Sequence, residues 1–390
     1  MTVKLADVGS YERQREKVDR NRYIFDNTSL VPPSISIIVT NHNYDRYLLP
    51  CLESIARQSY EDFDCVIVDD ASTDRSIDII NRFIHSEAAK ERFRLAQHHE
   101  NRGQMGAFIT GLANTNGTFV AFVDADDILL SDFLEIHLKA HINGSYAVAF
   151  TCSDQLQIDG DGEIIGGTDP KLFSHRGGYG ADRTDGLPER ISWDITPDQP
   201  MKMKQHPQSY VYLPAFSGFS SDWYWSTTSA MTYRRAALDL ILSESCDQFR
   251  ICADYYLVTF CQAIGGSLVI PTVHGCYRRH GGNAFSQNPI VGGEYAPRNN
   301  LPHPPYEKFN RSFVEHVVEN FDRIVAVLGR RQTIFLIARF ASNNFFLKLW
   351  WRTPWLGRRT LLKHRILWKV YAVYERTRRH IRSFLKLLKA

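Results

Sequence analysis

The chain has 390 residues, of which 44% are hydrophobic and 23% charged, a composition that excludes a disordered chain and suits one large folded body with an appendage. Its seven cysteines are odd in number, scattered and free of any Cys-x-x-Cys pair, which argues against a disulfide framework or structural zinc and for a reducing compartment. The net charge of +3 hides an asymmetry: residues 330–390 hold sixteen Lys or Arg against the single acid Glu375, a net of +15, so the preceding 329 residues carry −12. Such a split points to an acidic binding or catalytic body and a basic tail for an anionic partner.

Residues 1–33 read as a charged leader ending at Pro32-Pro33, with no apolar run of the signal-peptide kind. Residues 34–40 form a β-branched run that reads as a buried strand, broken by Asn41-His42-Asn43-Tyr44-Asp45. Leu48, Cys51, Leu52 and Ile55 then recur at helical spacing. A second strand, residues 63–68, runs into Asp69-Asp70-Ala71-Ser72-Thr73-Asp74, followed by a helix with Ile77, Ile80, Phe83 and Ile84 on one face. A third strand, residues 93–98, leads to Asn101-Arg102-Gly103-Gln104 and a helix carrying Met105, Phe108, Ile109 and Leu112.

The fourth strand, Phe119-Val120-Ala121-Phe122-Val123, ends in Asp124-Ala125-Asp126-Asp127. Carboxylates crowded this closely repel one another, and a hard divalent ion relieves them while bridging to phosphate oxygens. Strands alternating with helices mean βαβ units and a parallel sheet, whose ligands bind beyond the carboxyl ends of the strands. All four strand ends carry polar clusters, so a metal–diphosphate site is expected there. No Gly-x-Gly-x-x-Gly and no Gly-x-x-x-x-Gly-Lys-Ser/Thr is present, which excludes the usual dinucleotide and P-loop cradles.

Four segments in register, Ile37-Ile38-Val39-Thr40-Asn41-His42-Asn43, Val68-Asp69-Asp70-Ala71-Ser72-Thr73-Asp74, Asn101-Arg102-Gly103-Gln104 and Phe122-Val123-Asp124-Ala125-Asp126-Asp127, closely resemble the family-2 inverting glycosyltransferases of the GT-A fold. One departure is Thr40, which stands where the family's first loop usually begins with Pro. The resemblance implies a nucleotide-sugar donor, most commonly a UDP-sugar, and a Mn²⁺ or Mg²⁺ cofactor. It implies that Asp70 bonds the base with Thr40 beside it, that Asp124 lies near ribose and diphosphate, and that Asp126 holds the metal. Asn41, Asn43 and Arg102 are further donor-binding candidates. Asp69 reads as a loop brace as readily as a ligand contact, and Asp127 as the cap of a following helix.

Residues 133–141 read as a helix, 147–151 as a strand, and 156–165 as a hairpin turning at Asp159-Gly160-Asp161-Gly162. Residues 166–221 are rich in Gly, Pro, Asp and Ser without periodicity, and are expected to form a long acceptor-shaping loop. Trp223-Tyr224-Trp225 follows; its flat faces suit sugar rings or core packing, and Trp223 and Trp225 are the acceptor candidates. Cys252-Ala253-Asp254 opens an apolar helix where the resembled family carries Gly-Glu-Asp, so Asp254 matches its general base while Ala253 replaces the Glu. A carboxylate near a helix start can stay ionised and accept the acceptor's proton. Tyr277-Arg278-Arg279-His280-Gly281-Gly282-Asn283 resembles the family's closing signature, which implies that Arg278 meets a diphosphate oxygen and that His280 joins Asp126 and Asp124 in the metal shell.

Residues 286–310 read as a linker and 311–390 as amphipathic basic helices in which Trp350, Trp351, Trp355 and Trp368 alternate with Arg and Lys. The apolar run near residues 333–350 is too short and too charged to span a bilayer. Basic helices with aromatic and leucine faces suit an anionic membrane surface better than nucleic acid.

The expected fold is therefore α/β: a GT-A-type, mostly parallel sheet flanked by helices, over residues 34–285, with a nucleotide-binding half (34–130), an acceptor half (131–285) and a C-terminal basic helical extension. The expected function is metal-dependent inverting sugar transfer to a saccharide or lipid-linked acceptor in cell-surface polysaccharide assembly. The expected location is cytoplasmic, peripheral at the inner face of the membrane. The alternatives are a nucleotidyltransferase that makes sugar nucleotides, whose Gly-rich first loop is missing, and a non-enzymatic membrane-surface sugar-binding module.

Overall fold

The computed structural model describes residues 33–89, 91–144, 147–166, 192–194, 202–204, 210–215, 225–283, 305–352, 361–366 and 369. The charged leader, most of the 166–221 loop, the 286–304 linker and the last residues of the tail lie outside them.

Strands β1 (Ile35–Asn41), β2 (Phe63–Asp69), β3 (Phe93–Gln97) and β4 (Phe119–Asp124) stand in the order β4-β1-β2-β3, all parallel. They are linked by helices α1 (Asp45–Ala56), α2 (Ser76–Ile84) and α3 (Gly103–Ala113). The short β5 (Ile128–Leu129) and helix α4 (Phe133–Asn143) lead into β6 (Phe150–Ile158) and its hairpin partner β7 (Ile164–Gly166). Strands β8 (Ser192–Asp194) and β9 (Lys202–Lys204) pair with each other, and β10 (Val211–Leu213) adds to the main sheet. The 166–221 stretch thus contains strands where the sequence suggests only a loop.

The sheet continues through β11 (Met231–Arg234), which runs antiparallel between β4 and β6 and feeds helix α5 (Arg235–Ile241). Beyond helix α6 (Ala253–Gly265), β12 (Ser267–Arg278) pairs parallel to β6. Its register shifts between Ile270 and Val273, around Pro271, whose missing N–H suits an irregularity in a ladder. One ten-stranded sheet, β10-β12-β6-β11-β4-β1-β2-β3 with β5 and β7 at its side, spans both expected halves.

The central strands read as continuous apolar runs because both faces are covered. Ile35, Ile37 and Val39 pack with Leu48, Leu52 and Phe133 on one face, while Ile38, Val66, Val68 and Phe122 pack with Phe108 and the α6 side chains on the other. Gly111 lets α3 lie close on β1: a Cβ there would stand 2.2 Å from the Ile38 side chain.

The C-terminal helices belong to the second of these layers. Helices α7 (Tyr306–Glu319), α8 (Phe321–Leu328), α9 (Arg330–Phe340) and α10 (Asn343–Arg352) bury Phe309, Phe313, Val317, Ile324, Ile337 and Phe346 in the same core as Phe260 of α6. Phe260 and Phe313 stack at 3.9 Å. Helix α7 starts at Tyr306, inside the expected linker, and the apolar residues between 313 and 328 lie on two helices that meet at Asn320. Among the described residues no helix is long and apolar enough to cross a membrane.

Candidate active site

The register of the parallel strands sets Thr40 beside Asp124 and Asn41 beside Asp69, so the strand ends present their polar residues along one edge. Thr40 Oγ1 donates to Asp124 Oδ1 (3.2 Å), and the Asp124 N–H donates to Ser229 Oγ (3.0 Å). Burial, then the charges of Asp126 and Asp254, push the Asp124 carboxyl up to about 7, against the hydrogen bonds from Thr40 and Gln104. Asp254, the second residue of α6, is therefore near enough to Asp124 to repel it, although the two arise from opposite halves of the chain.

Asp126 meets His280: Oδ2 lies 3.0 Å from Nε2, with Asn283 Nδ2 at 3.5 Å from the same oxygen. The Tyr47 ring tilts over the His280 imidazole at 4.7 Å, and Tyr44 presents its edge at 5.8 Å. Two of the three expected metal-shell residues, Asp126 and His280, are thus brought into contact. Asp127 is not a helix cap: α4 starts only at Phe133, after Asp132. Its Oδ1 instead accepts the N–H of Arg278 (2.9 Å), and burial plus the neighbouring Asp126 and Asp124 push its carboxyl well above the ordinary range. It fastens the carboxylate turn to the end of β12.

Arg278 also differs from expectation. It is 4% exposed, its Nε donates to the Asp126 carbonyl (2.8 Å), and Nη1 donates to the carbonyl of Asp159 (3.0 Å). Its guanidinium lies over Tyr47 at 5.0 Å. These partners make it a strut between the carboxylate turn and the β6–β7 turn rather than an open hand for diphosphate.

The first two loops lock into each other. Asn41 is fully buried and its Nδ2 donates to Asp69 Oδ1 (2.8 Å) and Ser72 Oγ (3.0 Å), so it braces the loops instead of meeting a donor. Asp69 is the brace its position allowed, with Oδ2 accepting the Ser72 N–H (3.0 Å). Asn43, at φ 61°, accepts the Thr73 N–H on Oδ1 (2.7 Å), and Ala71 also sits at a positive φ, 58°. Cys252, at φ 57°, immediately precedes α6. Left-handed non-glycine residues cost free energy and collect where function demands a particular backbone path.

Asp70 receives His98 Nδ1 (2.7 Å) and the N–H of Arg102 (2.7 Å) on Oδ1, and the N–H of Gly103 (2.8 Å) on Oδ2. Burial alone pushes its carboxyl up, but these hydrogen bonds outweigh it and hold the group below the ordinary carboxylate value. An ionised Asp70 is thus secured at the N-terminus of α3, where the helix dipole favours it. The Arg102 side chain turns away to Asp247 (2.6 Å), which places only its main chain at the cluster.

The loop carrying Asn101–Gln104 is zipped to the loop ahead of Asp254. Gln104 N donates to the Arg250 carbonyl (3.1 Å), Arg250 Nη1 donates to the Asn101 carbonyl (2.6 Å), and Gln104 Oε1 accepts the Ala253 N–H (3.0 Å). Gly103 makes this approach possible: at φ 79°, a Cβ would lie 2.6 Å from Arg250 Cα. Gln104 bonds both Asp124 and the first turn of α6. The sequence motifs contain Gln104 without marking it as a strut, and they single out none of Ser229, His98 and Tyr47. Each stands near a strand end or a helix start, and that position is the signal they carry in the sequence.

Trp225 does not line an acceptor cleft. It is 1% exposed, its Nε1 donates to Ser267 Oγ (3.0 Å), and it packs against Phe150. Trp223 lies outside the described residues.

The donor set at the strand ends is carboxylate oxygen plus one imidazole, the kind that Mn²⁺ and Mg²⁺ accept. Among the described residues no group of three or more His, Cys, Asp or Glu is arranged to hold a metal. The pair in contact is Asp126 and His280, and Asp124 lies two residues before Asp126.

The sequence profile of glycosyl transferase family 2 matches residues 36–226. An uncharacterized glycosyltransferase of Nostoc sp. is 30% identical over 250 residues, 64% of this chain and 66% of that protein. TuaG of Bacillus subtilis, named for teichuronic acid biosynthesis, is 33% identical over 128 residues, 33% of this chain and 50% of that protein. In each case less than two thirds of the relative's own length is covered. A Staphylococcus aureus TarS fragment (residues 1–349), solved in complex with UDP, is 14% identical with a TM-score of 0.43, covering 87% of this chain and 91% of that one, a likeness too weak to argue from. The profile match contains the interlocked loops, the carboxylate turn and β6, and by it residues 36–226 belong to glycosyltransferase family 2.

Proposed function

We propose that this chain transfers a sugar from a nucleotide diphosphate to an acceptor hydroxyl with inversion at the anomeric carbon. The observation that carries the reading is the convergence of Asp124, Asp126 and Asp254: burial first, then the charges of Asp126 and Asp254, push the Asp124 carboxyl up to about 7. Asp254 takes the proton of the acceptor hydroxyl as its oxygen bonds to the anomeric carbon. The bond from that carbon to the diphosphate breaks on the opposite face, and the nucleotide diphosphate leaves with the bonding electrons. Asp126 and His280, with Asp124, are the residues that would hold Mn²⁺ or Mg²⁺, which supplies positive charge for the leaving diphosphate. Asp70, Thr40 and Asn43 shape the nucleotide end, and UDP is the nucleotide the family resemblance favours.

The acceptor we infer is a saccharide or lipid-linked saccharide of a cell-surface polysaccharide, a reading supported by the teichuronic acid role in the name of one relative. The net charge of +15 over residues 330–390 supports contact with an anionic membrane surface. Asp254→Asn should lower transfer by about 10²–10⁴-fold while keeping donor binding, and Asp126→Ala should abolish metal-dependent donor hydrolysis. Wild-type transfer by the Asp254→Asn protein would sink the assignment of the base.

A further inference from the structure

Far down the chain from the carboxylates, the C-terminal helices line a half-open cavity of about 270 Å³. It is walled by Glu307 and Asn310 of α7, by Arg339 at the end of α9, by Ser342 ahead of α10, and by Arg365 and Lys369 of the following segment. Three cationic side chains therefore face one carboxylate in a space near the lower end of the size of small-ligand pockets, roughly 300–1,000 Å³.

The surroundings favour an anion. Arg339 is buried, with its guanidinium 4.9 Å from the Phe340 ring, and Arg365 lies 5.2 Å from the Phe346 ring. Arg365 donates to neutral oxygens, the Ala338 carbonyl and Asn343 Oδ1 (3.0 Å). Guanidinium planes held by aromatic rings keep their in-plane donors aligned, the geometry that meets phosphate in pairs. The positive end of α10 opens beside Ser342 and adds to the same field.

We propose that this cavity is a phosphate-group site, built from Arg339, Arg365 and Lys369, with Ser342 and Asn310 as neutral hydrogen-bonding groups. The source is a lipid headgroup: Leu362 (41% exposed) and Ile366 (52%) stand one helical turn apart on the segment that carries Arg365, and Leu347 (58%) and Trp351 (70%) do the same on α10. Apolar side chains beside a cationic pocket suit acyl chains beside a phosphate. Recognition of phosphate here is independent of the sugar-transfer reading; only the lipid source rests on the membrane contact proposed above.

The test uses the full chain, as wild type, Lys369→Gln and Arg365→Gln/Lys369→Gln. Thermal unfolding is followed against sodium phosphate at constant ionic strength, and co-sedimentation against vesicles of phosphatidylcholine alone or mixed with phosphatidic acid. The expected result is a saturable phosphate-induced rise of the midpoint whose half-point moves about tenfold higher for each cation removed, with binding to the phosphatidic acid vesicles lost in the double variant. Lys369 is exposed, so the single variant keeps the test valid if Arg365→Gln impairs folding. A phosphate response kept in full by the variants would place the anion in the catalytic cleft and overturn the site. A variant-sensitive phosphate response with no preference for phosphatidic acid vesicles would overturn the lipid source and support a free phosphate. Sugar transfer should be unchanged in detergent-free solution for the Lys369→Gln protein, so that failure here and failure of the transferase reading remain separate.

Discussion

Gln104 ties the donor side of the cleft to the proposed base. Its Oε1 accepts the N–H of Ala253, a residue with no exposed surface, and its amide also bonds the Asp124 carboxylate. In Gln104→Ala the Ala253 N–H is left buried without that acceptor, which costs about 1–3 kcal/mol. The loss falls on the turn that holds Cys252 at φ 57° and Asp254 two residues on. If the same free energy is lost from the transition state, turnover falls roughly 5–150-fold, since about 1.4 kcal/mol is a factor of ten. Gln104→Glu separates the two ends of the strut: it keeps an acceptor for Ala253 but sets a further carboxylate against Asp124, so stability should be better preserved than donor affinity. Denaturant unfolding measures the first quantity, and steady-state kinetics with separate kcat and KM measure the second. A Gln104→Ala protein with wild-type unfolding midpoint and wild-type turnover would refute the strut.

Phe313→Ala removes half of the 3.9 Å stack with Phe260 and should destabilise the protein by about 3–5 kcal/mol in denaturant unfolding; a loss below about 1 kcal/mol would mean that the C-terminal helices are only loosely applied. Trp225→Phe should lower stability by about 1–3 kcal/mol through the lost bond to Ser267 Oγ, with acceptor KM unchanged; a raised acceptor KM at full stability would restore the stacking role. Burial, with Arg234 adding to it, pushes His141 down to about 3 in the fold. The unfolded chain binds that proton from near pH 6.5, so this group's stability is complete above about 6.5 and is lost toward pH 3 at up to about 1.4 kcal/mol per pH unit. His141→Gln should therefore flatten the pH dependence of the unfolding free energy between about pH 6 and 4 by one proton's slope; an unchanged slope would contradict a neutral His141.

What the chain's local pattern determined was the βαβ frame and the edge on which chemistry collects. Residues 37–39, 65–68 and 119–123 are apolar without alternation because both faces of the sheet are covered, and that pattern is visible in one dimension. The polar residues that end these runs, Thr40, Asp69, Asp70 and Asp124, had to share one edge once the strands were parallel. Which of them keep free lone pairs was another matter. Asn41 spends its amide on Asp69 and Ser72, Arg278 spends its guanidinium on main-chain carbonyls, and Trp225 is core. A residue's type and spacing do not record the partners that arrive from distant sequence. The Asp126–His280 contact, the Gln104 strut to Ala253 and the antiparallel insertion of β11 exist only after the sheet closes, because each joins segments more than a hundred residues apart or reverses a direction that no local period encodes. The opposing halves of the site are therefore products of tertiary packing, while the strand ends they meet are already written in the sequence.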